Sequence, residues 1–137
     1  MTRQWLALIL TLGCAHAAQS VGPFDGSKPL ICSVDDVADC GQEGTCVKGN
    51  AGDVNLPALA RIDVKGKKIT AASGDVPSGG EGVPIQSVHR EDGNLVLQGG
   101  QAGRGWTMVI SEQSGKSTFA VADEGFALLA FGACTAI

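Results

Sequence analysis

Few residues of this chain could do chemistry, and cysteine leads them. Cys14, Cys32, Cys40, Cys46 and Cys134 could form disulfides, hold a metal or act as nucleophiles. Zinc is not expected, because the spacing contains no paired Cys-x-x-Cys knuckle. The histidines are His16 and His89, so a general base or serine triad must use one of them or a carboxylate of raised pKa. His16 lies in an apolar leader. His89 precedes Arg90, Glu91 and Asp92 at a strand end, where a solvent-exposed histidine beside a turn needs no catalytic role. Asp35, Asp36 and Asp39 do not follow the alternating ligand spacing of a calcium loop. No Gly-x-Ser-x-Gly elbow occurs, and the acids concentrate in turns, not in a pair marked out for glycoside chemistry. The expectation is no catalytic set, no metal and no cofactor.

Two glycine-rich segments invite a nucleotide reading, and both fail. Gly115-Lys116-Ser117 resembles the end of a phosphate loop, but Ile110 stands where the earlier glycine is required, and the segment joins strands. Gly99 to Gly105 never gives Gly-x-Gly-x-x-Gly and precedes no helix; its composition reads as a loop. Arg104 and Trp106 beside it are the candidate ligand-binding pair, since both residue types are enriched at binding hot spots. Against that reading, Trp106 shares a strand face with Met108 and Ile110, and Arg104 suits a solvated loop.

The elements that must position these residues begin after a leader. Arg3, the apolar run from Trp5 to Leu12 and the small residues through Ala18 have the order of a secretory signal peptide over residues 1–17, cleaved near Ala17. The run is far shorter than the ~18 residues of a membrane span. A lipid anchor at Cys14 is not expected, because Thr11 fits that signal poorly. Cleavage leaves Cys32, Cys40, Cys46 and Cys134, an even set in an exported chain, which reads as two disulfides with three possible connectivities. The preferred pairing is Cys40 with Cys46, closing a small loop, and Cys32 with Cys134, tying the ends together.

Residues 18–53 form a turn-rich, cysteine-containing segment packed on a main domain, residues 54–137. Leu30 to Cys32 reads as a short strand. Ser33 with Asp36 has the form of a capping box, so one helical turn is expected through Val37 to Cys40. From Val54 the apolar period is two, with Leu59–Val64 and Lys68–Ala72, Ile85–Arg90 and Leu95–Gln98, and Trp106–Ser111 and Lys116–Ala122 as hairpins. Gly74 to Pro84 is a loop by composition. The last run, Phe126 to Cys134, has no polar residue before Cys134 and should be central or buried on both sides. The fold class is all-β, a small antiparallel barrel or sandwich built from hairpins.

Composition agrees. The chain has 137 residues and 44% hydrophobic content, enough for one domain with its own core, and 20 glycines, which many short strands need at their turns. Its net charge of −4 and 18% charged residues leave no basic surface for nucleic acid.

The run Asn94-Leu95-Val96-Leu97-Gln98-Gly99, the Gly105-Trp106 step and the ending Phe131-Gly132-Ala133-Cys134 resemble small exported proteobacterial proteins of uncharacterised function that end in an aromatic-Gly-small-Cys strand. The resemblance covers roughly residues 30–134. It implies a secreted or periplasmic domain with disulfides, and it carries over no active-site residue. The last strand is also loosely similar to that of small bacterial lysozyme-inhibitor barrels, whose Ser-Gly…Tyr signature a chain without tyrosine lacks. The functional expectation is a non-enzymatic binding or inhibitor-like module for an envelope or secreted protein. The alternatives are a small hydrolase using His89 and a carboxylate, and a structural envelope protein.

Overall fold

Period-two patterning between glycine turns produces strands almost throughout the computed structural model, which describes residues 22–72 and 82–137. The expected leader (residues 1–17) and most of the expected loop from Gly74 to Pro84 lie outside the described residues. In chain order the elements are β1 (Leu30–Ser33), β2 (Asp36–Gly41), β3 (Cys46–Gly49), a 3-10 turn (Ala51–Val54), β4 (Leu59–Asp63), β5 (Lys68–Ala71), β6 (Val83–Pro84), β7 (Ser87–Glu91), β8 (Asn94–Gln101), β9 (Arg104–Ser111), β10 (Lys116–Ala122) and β11 (Phe126–Ala136). The three expected hairpins are present as β4–β5, β7–β8 and β9–β10, each antiparallel.

The strands join one sheet in the order β6-β5-β4-β1-β11-β10-β9-β8-β7, with β2 paired to β11 and β3 to β2. Its two ends are neighbours in the chain. Between β6 and β7 stand only Ile85, whose N–H donates to the Lys67 carbonyl, and Gln86, whose N–H donates to the Gln98 carbonyl. The sheet therefore curls into a half-barrel whose two edge strands are joined by one bent segment.

Two local expectations are corrected. Val37 to Cys40 is not a helical turn but part of β2, because six consecutive residues of β11, Phe126 to Phe131, pair with Gly41 to Asp36. Ser33 does not cap a helix; its hydroxyl accepts from the Ala133 N–H at 3.2 Å, across the strands. The capping box forms later, where Asn50 Oδ1 accepts from Gly52 N–H and Asp53 Oδ2 accepts from Asn50 N–H. Pairing along β11 outweighs a one-turn helix, which would gain little on its own. Likewise Gly99 to Gly105 is not a loop. Only Ala102 and Gly103 turn, both at positive φ, and the flanking residues continue β8 and β9 in register. Two left-handed residues match the twist of the strands they join, so the hairpin stays tight.

Alternation along β4, β8, β9 and β11 sends Ile62, Leu95, Leu97, Trp106, Met108, Ile110 and Cys134 inward with Leu30 and Cys32 of β1. One end of this core is plugged by residues 22–29. Phe24 packs against it, and its N–H donates to the Glu112 carbonyl. Arg90 Nη2 donates to the Asp25 carbonyl at 2.6 Å. Arg90 Nε lies 3.2 Å from Oε1 of the buried Glu112, an ion pair by distance whose N–H is not aligned well enough for a hydrogen bond. Gly115 is required here. Its φ is +73°, and a side chain would strike the Cys134 carbonyl.

β11 is central, as its uninterrupted apolar run predicts. It pairs with β10 on one side and with β1 and β2 on the other. Only one of its faces is buried: Leu128 and Ala130 join Val37 in a second core cluster, whereas Leu129 and Phe131 are exposed at 37% and 45%.

Candidate binding cavity

Small inward residues leave the barrel incompletely filled. Ala60 on β4, Ser117 on β10 and Ala130 on β11 stand where neighbouring positions carry Ile62, Ile110 and Leu128. The result is an open cavity of about 660 Å³ between the two core clusters, within the range of about 300–1,000 Å³ that small-molecule sites occupy. Ile69, Met108 and Phe119 form apolar wall, and Asn55, Thr70 and Gln101 place amides and a hydroxyl along it. Gln101 ends β8 at the turn opposite Asn94, so the cavity extends away from the end plugged by Phe24.

None of these residues stands out singly in the sequence, because each is an ordinary strand residue. The available signal is a set of small residues at inward positions on several strands, and it becomes readable only once strand order is known.

The structure places the expected candidates separately. Trp106 is 6% exposed in the core, its ring 5.9 Å from that of Phe119 and tilted by 40°. Its indole N–H is buried with no hydrogen-bond partner. A side chain at Gly99, its cross-strand neighbour, would sit 2.6 Å from the Trp106 ring, so glycine there makes room for the indole. Arg104 lies at the surface, with its guanidinium 5.5 Å from the centre of the Phe126 ring and Nε 3.4 Å from Asp123 Oδ2. His89 is exposed on β7 opposite Val96. Among the described residues no group of three or more His, Cys, Asp or Glu could hold a metal.

The cysteines pair as Cys32–Cys134 and Cys40–Cys46, each across a directly opposed strand pair. The first joins β1 to β11 inside the core and the second closes the exposed β2–β3 hairpin. Both belong to oxidising compartments. Among the described residues no helix is long and apolar enough to cross a membrane.

Asp123 organises the β10–β11 turn that Arg104 of β9 reaches. Its Oδ1 accepts from the Gly125 N–H at 2.8 Å and from the Phe126 N–H at 3.0 Å. The Gly125 bond above all, with the Phe126 bond and the Arg104 charge, holds the carboxyl below its ordinary value. A depressed folded pKa adds stability above the unfolded pKa of about 3.9, and that stability is lost as pH falls through the lower folded value. Asp123 is therefore expected to titrate at lower pH in the folded chain than in urea, followed by carbon-13 NMR of its carboxyl. Coincident midpoints would contradict the turn geometry.

The fold and cavity together define a disulfide-linked, antiparallel β protein with an apolar chamber open to solvent. No family model, curated protein or solved structure matches the chain.

Proposed function

We propose that this is an exported, non-enzymatic binding module whose ligand occupies the barrel cavity. The observation that carries the reading is the cavity itself: an apolar chamber of about 660 Å³, with a few polar groups along its wall. Binding sites have this character, since apolar walls supply affinity and a few placed polar groups supply orientation. The leader-like start and the two disulfides support export to the periplasm or beyond. The resemblance to small exported proteobacterial proteins accords with this address.

A test uses two environment-sensitive dyes, neutral N-phenyl-1-naphthylamine and an anionic anilinonaphthalene sulfonate. At least one is expected to bind saturably, at about one per chain. Ala60→Phe, which adds a ring from a half-buried position into the cavity, is expected to weaken that binding about ten-fold or more while unfolding at the same denaturant concentration. The reading is wrong if neither dye saturates, or if Ala60→Phe binds like the wild type.

A further inference from the structure

We infer that the cavity selects uncharged, largely apolar molecules and rejects ions of either sign, an inference that rests on the cavity being the binding site. In a chain that is 18% charged, no Asp, Glu, Lys, Arg or His lines it among the described residues. The polar groups there are the hydroxyls of Ser33, Thr70 and Ser117 and the amides of Asn55 and Gln101. Such groups can hydrogen-bond an alcohol, ketone or amide, but they offer no counter-charge. An ionic headgroup taken among Ile62, Ile69, Met108 and Phe119 would surrender its hydration without compensation.

The Ser33 hydroxyl is already engaged, accepting from Ala133 N–H and donating to the Ala133 carbonyl. Asn55, Thr70, Gln101 and Ser117 are left to meet the polar end of a ligand. Asn55 is held in place by its own backbone: it adopts the left-handed conformation, φ 56°, and its N–H closes the end of the 3-10 turn. Gln101 is exposed at the last position of β8. The ligand class is thus a neutral molecule with an apolar body and one or two hydrogen-bonding groups.

The experiment displaces bound N-phenyl-1-naphthylamine from the full exported chain at pH 7.4 with three probes of equal chain length: 1-decanol, decanoate and decyltrimethylammonium. Decanol is expected to displace the dye at about ten-fold lower concentration than either ion. Gln101→Lys, an exposed substitution that puts a cation at the rim, is expected to improve displacement by decanoate several-fold relative to decyltrimethylammonium.

Decanoate or decyltrimethylammonium matching decanol in the wild type overturns the ligand class, while dye loss in Ala60→Phe still upholds the binding site. A decanoate response unchanged by Gln101→Lys also overturns it, because charge would then not be what decides. Dye binding indifferent to Ala60→Phe removes the site, and the inference with it.

Discussion

Replacing Cys32 and Cys134 together by alanine is expected to cost about 4–5 kcal/mol of unfolding free energy. The bridge spans 102 residues of sequence, and in the chain-entropy account a loop of about 100 residues is worth about 4.7 kcal/mol. Both cysteines are also buried, at 2% and 7% exposure, so loss of their sulfurs removes packing between β1 and β11. Measured against a total stability of about 5–15 kcal/mol for a domain of this kind, that is from about a quarter to most of what holds the chain folded.

The Cys40–Cys46 bridge is the control. It spans 6 residues, joins an exposed hairpin already paired strand to strand, and by the same account is worth about 2 kcal/mol. Denaturant unfolding of the two double variants should therefore separate clearly, with the Cys32/Cys134 variant at the lower midpoint. Equal midpoints would mean that the long bridge does not constrain the unfolded chain as its span requires.

The second large effect is at Trp106. Trp106→Ala is expected to destabilise the fold by about 3–5 kcal/mol, the range for truncating a buried large aromatic. The indole is 6% exposed, packs on Phe119 and lies over Gly99, whose missing side chain leaves its room. Surrounding β8 and β9 residues are locked in register, so the void cannot collapse easily. Trp106→Phe should cost clearly less. It retains a ring and removes an indole N–H that is buried without a partner, a group whose desolvation costs about 1–3 kcal/mol.

A surface recognition tryptophan would behave the other way, with Trp106→Ala leaving the unfolding midpoint unchanged. Guanidinium unfolding followed by circular dichroism distinguishes the two, and an unchanged midpoint would sink the core assignment. Arg104 differs from Trp106 in kind: it is an exposed side chain engaged with Asp123 and Phe126 at a turn.

The hairpins were readable because alternation and turn chemistry are local. The connection Glu91-Asp92-Gly93-Asn94 between Ile85–Arg90 and Leu95–Gln98 carries the turn signal, and its two central residues, Asp92 and Gly93, have positive φ. Two misreadings had the same cause. Ser33 with Asp36, and the glycines from Gly99 to Gly105, carry local signals for a helix start and a loop. Partner strands overrode both: β11 holds Asp36–Gly41 extended, and β9 pairs with the whole of β8 up to Gln101. Local preferences worth about a kilocalorie do not survive against a full ladder and a buried face.

The sequence by itself determined the all-β class, three hairpins and the inward faces of Leu95, Leu97, Trp106, Met108 and Ile110, since each follows from spacing between near neighbours. Tertiary structure alone decided that the sheet curls into a half-barrel with β6 and β7 as its edges, which of the three disulfide connectivities forms, and that a cavity remains. The reason is physical. Ala60, Met108, Phe119 and Ala130 lie far apart along the chain, and the space among them is a property of strand order and curvature that no local pattern encodes.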